Sequence, residues 1–429
     1  MNTVRHNNLS RKWVTVLLLV LSGFSTYAQQ QPSDANSIQQ DTALYRVFNS
    51  LAAADSNVVS ILHLGDSHIQ AGYFSMTTAS LLQNQFGYAG RGYVFPYNLA
   101  GTNGPEDYRW NSTTRWSSER VVDRNKSDVL GPGAIVISSQ NDAPTLSFAG
   151  KPDGSMDNNF RKVTLFYDAG NSNNTLVVPD ATVTVTPAPF PGSPTLSKAT
   201  LDFLQTSQSF QARWEGTGNG PFRFYGAIME NSRNGVLYHS VGINGAMYQQ
   251  YNEFSNILLA EMETMKPQLV IISLGTNEAY GGRMDPLAFR DEIDKAVTLI
   301  REQNPSVNIL LTTPPDCMRA VRKATRKKVG KKKYKTIYHT AYYPNPYISM
   351  VTQQIMGYAR QHGIACWNFN LVNKTQSSKF AGAWAPDHIH FNVRGYQVQG
   401  QLLYEALERS YTHYLQQTKK NPVTSNDRH

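Results

Sequence analysis

A serine, an aspartate and a histidine set the chemical problem. Ser67 stands in Gly65-Asp66-Ser67-His68, directly after the apolar run 58–64. A serine hydroxyl is a weak nucleophile until a base takes its proton. Asp387 and His390 stand three apart in Pro386-Asp387-His388-Ile389-His390-Phe391-Asn392. An imidazole takes that proton well only when its other nitrogen is held by an acceptor, and an aspartate three residues back on a turn can be that acceptor. Each piece alone has a plainer reading. Gly-Asp-Ser is also an ordinary helix N-cap, and Asp-x-x-His is also a local Asx turn with a surface histidine.

Two further blocks bear on charge that develops on a substrate oxygen. In Leu274-Gly275-Thr276-Asn277-Glu278 the Asn277 amide sits at the end of an apolar strand and can donate to an oxyanion. In Val241-Gly242-Ile243-Asn244-Gly245-Ala246, Gly245 lets a backbone N–H approach the same oxygen. The Ser67 N–H, at a helix start, is a third donor. His68 and Glu278 are candidate substrate contacts beside these blocks, and His68 has packing at the helix start as its alternative. His63, inside an apolar strand, reads as a core histidine, and His239 and His388 carry no role. No His/Asp/Glu cluster has metal-ligand spacing, so neither metal nor cofactor is expected.

Such side chains need a frame that puts strand ends together. Strand-like runs at 58–64, 236–241, 269–274, 307–312 and 364–367 alternate with helical periods near 40–54, 74–85, 249–265, 286–303, 346–362 and 394–415. That rhythm predicts a parallel sheet covered on both faces, with its active site at the carboxyl ends of the strands. Between about 99 and 236 the texture changes. Short alternating runs (134–137, 163–167, 182–186, 222–225) lie between Gly, Asn, Ser, Thr and Pro, which predicts an all-β sandwich inserted into the α/β domain. Trp110, Trp116 and Trp214 of that insert are candidate sugar-stacking surfaces, with core packing as the alternative.

Taken in order, the four blocks resemble the SGNH (GDSL-type) hydrolases over about 40–98 and 236–415. The resemblance implies a flavodoxin-like three-layer α/β/α sandwich and metal-free ester hydrolysis. It makes Ser67 the nucleophile, His390 the base and then the acid, and Asp387 its orienter, with Ser67, Gly245 and Asn277 forming the oxyanion hole. His68 replaces the usual leucine of the first block, and Glu278 replaces the frequent aspartate of the third. The spacing of 178 from Ser67 to Gly245, together with Thr312-Thr313-Pro314-Pro315-Asp316, resembles exported peptidoglycan O-acetylesterases that carry a carbohydrate-binding-like β insert. The expected organisation is then a signal peptide at 1–28, hydrolase at 29–98, insert at 99–236, hydrolase at 237–415 and a polar tail at 416–429. The expected activity is removal of O-acetyl groups from a cell-wall glycan. A deacetylase of another polysaccharide such as xylan, an O-acetyltransferase with the same triad, and a non-catalytic wall-binding protein are the alternatives.

Composition limits the partners. The chain of 429 residues carries a formal net charge of +9, but the run 319–335, from Arg319 to Lys335, holds ten Lys/Arg and no acid. Without that run the charge is near neutral, so a broad nucleic-acid face is excluded. The run reads as a basic loop touching an anionic surface, with a solvated loop lacking a partner as its alternative. Arg5, Arg11 and Lys12, then the apolar run 13–24 and Thr26-Tyr27-Ala28, read as an export signal cleaved before Gln29, with an uncleaved membrane anchor as the alternative. The mature chain is expected to be periplasmic or secreted, with no integral membrane segment after signal removal. Its two cysteines, Cys317 and Cys366, exclude a disulfide scaffold and either pair or stay as buried thiols.

Overall fold

Apolar residues that alternate along short strands build a sheet with two buried faces. In the Val58–Gly65 strand, Val59 and Ile61 pack with the helices on one side, and Leu62 and Leu64 pack on the other. The same two-residue alternation recurs in Leu269–Ser273 and Asn308–Thr312. The computed structural model describes residues 35–420, apart from 127–128, 141–142, 152–156, 171–173, 190–192, 194, 217–221, 283 and 331–332. The expected signal segment 1–28 and residues 421–429 lie outside the described residues.

The main sheet has seven strands. In spatial order they are Ile38–Gln39, Ala365–Trp367, Asn308–Thr312, Leu269–Ser273, Val58–Gly65, Gly235–Gly242 and Tyr88–Gly90. All pair in parallel except Ile38–Gln39, which runs antiparallel at the edge. Helices Tyr45–Ala52, Tyr73–Phe86 and Val393–Lys420 cover one face. Ser255–Met265, Pro286–Gln303 and Tyr347–Gln361 cover the other. This is the three-layer α/β/α arrangement. The last helix runs through 416–420, so the polar tail expected from 416 begins as helix. No helix among the described residues is long and apolar enough to cross a membrane.

The residues after Gly90 leave the sheet and build two antiparallel sheets. One contains Thr175–Val177, Ser209–Glu215, Thr145–Gly150 and Tyr108–Asn111. The other is centred on Phe160–Asp168 and Phe222–Glu230. Gly92–Val94 already pairs with Phe222–Glu230, ahead of position 99. Trp110 and Trp214 are fully buried between the sheets. Trp110 packs edge-on against Phe148, Phe210 and Phe224. They are therefore core residues and not sugar platforms; Trp116 is half-buried beside Phe222.

The insert is not a tethered module. Its apolar residues and those under Tyr248–Glu253 and Ser255–Met265 form one continuous core. A buried ion pair also sits where the chain enters the insert. Arg91 Nε meets Asp107 Oδ2 at 2.9 Å, and its Nη2 meets Oδ1 at 3.2 Å. Removing one partner of such a pair typically costs about 3–5 kcal/mol, because the other charge is left buried and uncompensated.

The basic run is not a loop. Met318–Gly330 and Lys333–Pro344 pair as a long two-stranded ribbon, exposed along almost its whole length. Cys317 and Cys366 are both buried free thiols, so the pairing alternative falls.

Candidate active site

The site lies where the central parallel strands end. The Val58–Gly65 strand runs through Asp66 into the single helical turn Ser67–Gln70. Glycine is required at 65: a Cβ there would stand 2.8 Å from the Ser273 carbonyl oxygen and 2.4 Å from Ile69 Cγ1. Asp66 caps the turn by accepting from the His68 N–H at 2.9 Å. Ser67 is thereby fixed at the turn's first position.

The histidine arrives from the other end of the chain. Trp384 and Phe391 form a short antiparallel bridge, and the Ala385 N–H donates to the His390 carbonyl at 2.8 Å. Inside this loop Asp387 Oδ1 accepts from the Ile389 and His390 N–H groups at 2.9 and 3.0 Å. Its Oδ2 lies 2.7 Å from His390 Nδ1, and His390 Nε2 lies 2.7 Å from Ser67 Oγ. The Asx turn and the three-residue relay therefore occur together. Burial acts to raise the Asp387 pKa, but the hydrogen bonds from His390 and Ile389 outweigh it and leave the group below the usual carboxylate range. Asp387 is an anion at any pH where a histidine can act as base.

Ser67, Gly245, Asn277, His390, Asn103 and Tyr280 line one cleft of about 700 Å³. Gly245 has φ 86°, a conformation that favours glycine. Asn277 is the second residue of the helix Thr276–Gly281, and its Nδ2 donates to Asp66 Oδ2 at 3.2 Å and to the Ala246 carbonyl at 3.0 Å. Its amide hydrogens thus have protein acceptors, and an oxyanion would have to compete with the Ala246 carbonyl.

Neither proposed substrate contact faces the cleft. His68 is buried; its Nδ1 lies 3.0 Å from the Tyr396 hydroxyl, and its ring packs on His390 with centroids 5.2 Å apart. Burial, reinforced by His390, pushes His68 down to about 3, so it is a neutral spacer that fixes the His390 ring. Glu278 is buried under the site and accepts from the Tyr248 N–H at 2.9 Å. Burial raises the pKa values of both Glu278 and Asp66, with backbone donors pulling the other way.

Other positions carry no warning in the spacing of the blocks. Gln70 Oε1 accepts from the Asn244 N–H at 2.6 Å, and its Nε2 donates to the Asn103 carbonyl at 2.6 Å. Asn244 Nδ2 donates to Asn103 Oδ1 at 2.6 Å. Gln70 therefore ties the Gly245 turn to the first residues of the insert, and the insert contributes Asn103 to the lining of the cleft. The available signal was its place three residues after Ser67, on the same helical turn. Asn103 lies in a loop with no motif.

Residues 208–398 match the GDSL-like lipase/acylhydrolase family. The matched stretch contains Gly245, Asn277, Asp387 and His390 but not Ser67, which the fold brings to it from before the insert. Over that stretch the chain is similar to the GDSL-like lipases and acylhydrolases. A solved peptidoglycan O-acetylesterase superposes on this chain with a TM-score of 0.66 at 21% identity, over 88% of this chain and 99% of its own. That likeness extends through the insert and shows a shared fold. A GDSL-like lipase from Bacteroides thetaiotaomicron aligns at 17% identity over 40% of this chain and 76% of its own, with a TM-score of 0.30. A catalytic mutant of an acetylxylan esterase from Geobacillus stearothermophilus aligns at 16% over 40% and 73%, with a TM-score of 0.28. No curated protein sequence matches the chain.

Proposed function

We propose that this protein is a serine ester hydrolase that removes O-acetyl groups from a cell-wall glycan, peptidoglycan first, outside the cytoplasm. The observation that carries the reading is the Asp387–His390–Ser67 relay, with two contacts of 2.7 Å, opening on the cleft that also holds Gly245 and Asn277. Ser67 Oγ attacks the acetyl carbonyl while His390 Nε2 takes its proton, and Asp387 steadies the imidazolium. Backbone N–H groups of Ser67 and Gly245 and the Asn277 amide stabilise the oxyanion. His390 returns the proton to the departing sugar hydroxyl, leaving an acetyl-enzyme. Water activated by His390 then releases acetate. The cleft is lined by the amides of Asn103, Asn244 and Asn392 among aromatic rings such as Tyr73 and Tyr280, a mixture that suits a sugar ester. The solved acetylesterase of the same fold, insert included, agrees with that choice.

The test is acetate release from O-acetylated peptidoglycan, acetylated xylan and long-chain acyl esters, compared at equal ester concentration. Peptidoglycan should give the highest kcat/KM. A clear preference for xylan or for long acyl chains would move the substrate elsewhere, and acetyl appearing on added sugar in place of free acetate would make the protein a transferase.

A further inference from the structure

The esterase chemistry leaves the exposed ribbon unused. Met318–Gly330 pairs with Lys333–Pro344, with Ala320 opposite Tyr342, Ala324 opposite Tyr338 and Lys328 opposite Tyr334. Directly paired residues share a face. One face therefore carries Tyr334, Tyr338 and Tyr342 at every fourth position, about 13 Å apart, together with Arg322, Arg326 and Lys328. Small Ala and Thr side chains fill most of the remaining positions on that face. Tyr334 and Tyr338 are 56% and 55% exposed, so much of each ring is open to a ligand. Arg322 lies 4.0 Å over the Tyr338 ring and Arg326 5.7 Å over Tyr334. Among the described residues no carboxylate pairs with these cations.

The root of this face touches the catalytic loop. The Met318 N–H donates to the His388 carbonyl at 2.9 Å, and the Tyr342 ring packs on the His388 imidazole at 4.3 Å. His388 is two residues from His390. A polymer lying on the tyrosines is thus led to the loop that holds the base. The ribbon's far end is rich in lysine and not apolar, which suits a soluble polyanion better than insertion into lipid.

We propose that the Tyr–Arg face of the ribbon is a binding arm for a carboxylate-bearing glycan strand, held while Ser67 acts on an ester of the same strand. This rests on the reading of the protein as a glycan O-acetylesterase. Sugar rings pack on the tyrosines, and the guanidinium groups take carboxylates in two-point hydrogen bonds. The arm adds no bond-breaking chemistry; it raises the local concentration of ester at the cleft.

The experiment uses the full chain and two double variants, Arg322→Gln/Arg326→Gln and Tyr334→Ala/Tyr338→Ala, each checked for folding by circular dichroism. Tyr342 stays, because it touches the catalytic loop. The probes are purified peptidoglycan sacculi, neutral acetylated xylan, and vesicles of phosphatidylglycerol with phosphatidylcholine. The wild type should sediment with sacculi in a salt-sensitive way, and each variant should lose about tenfold in retention. Acetate release from sacculi should fall in step, while turnover of 4-nitrophenyl acetate stays within about twofold. Folded variants that sediment like the wild type overturn the arm, as does a wild type that binds the vesicles but not the sacculi. If retention depends on the ribbon but sacculi yield no acetate, the arm stands and the acetylesterase reading falls. If acetate is released equally by all three proteins, the reading stands and the arm falls.

Discussion

The cleft and the ribbon beside it are built in opposite ways. In the cleft polar groups are held from more than one side: Asp387 by two N–H groups and an imidazole, Asn277 by Asp66 and Ala246. On the ribbon the cations lean on tyrosine rings and face water. Bond breaking needs donors and acceptors already in place before charge develops. Capture of a repeating polymer needs only many weak contacts of the right chemistry. The difference implies that single changes in the cleft act on kcat, whereas single changes on the ribbon act weakly and only on polymer.

The largest effect that would sharpen this contrast is at Asp387. Asp387→Asn should lower kcat on a soluble acetyl ester by about 10²–10⁴, since the amide can hold the wrong imidazole tautomer. Stopped assays at saturating ester measure it, and a loss under about fivefold would mean that the relay is not used. Because the folded pKa of Asp387 is depressed, its contribution to stability is present above about pH 4 and is lost as pH falls through the lowered value. The variant should therefore unfold with less acid dependence than the wild type.

Asn277→Ala comes next. Its amide is expected to turn from the Ala246 carbonyl to the oxyanion, so kcat should fall by about 10² with KM little changed. Steady-state kinetics separate the two. A rise confined to KM would make Asn277 a ground-state contact and loosen the cleft side of the comparison.

A smaller effect should appear away from both regions, at Glu261 on Ser255–Met265, beneath the insert. Burial pushes this carboxyl up to about 8, with the Gly133 amide pulling the other way. A raised folded pKa means that its contribution is full below the unfolded value and is lost as pH rises through the folded one. Glu261→Gln should thus gain on the wild type by about 1–3 kcal/mol between about pH 5 and about pH 9. Urea unfolding across that range measures it. A difference that does not change with pH would show that Glu261 ionises freely.

The α/β frame was legible because its apolar runs alternate with helical periods; the blocks of Ser67, Gly245 and Asn277 follow strand ends, and the Asp387–His390 block lies in the loop before the last helix. Ser67, Asp387 and His390 were legible as candidates because local turns fix their backbones. Tertiary packing decided the rest. His68 and Glu278 sit next to site residues in sequence, but their backbones turn them inward, to Tyr396 and to the Tyr248 N–H. The tryptophans of the insert went to its core because two antiparallel sheets had to be filled. The basic run hid a ribbon because its charge masked a strand alternation of tyrosine with small residues. Gln70 and Asn103 were invisible as a pair, since nothing in the sequence brings the insert's first loop back to the serine turn.

The claim at the centre is that Ser67, activated by His390, carries the acyl group. Reaction with a phosphonate ester, read by intact mass and peptide mapping, tests it most directly. One adduct per chain is expected, on the peptide containing Ser67, absent in Ser67→Ala and formed far more slowly in His390→Ala. An adduct on another residue, with Ser67→Ala still turning over acetyl ester at the wild-type rate, would contradict it.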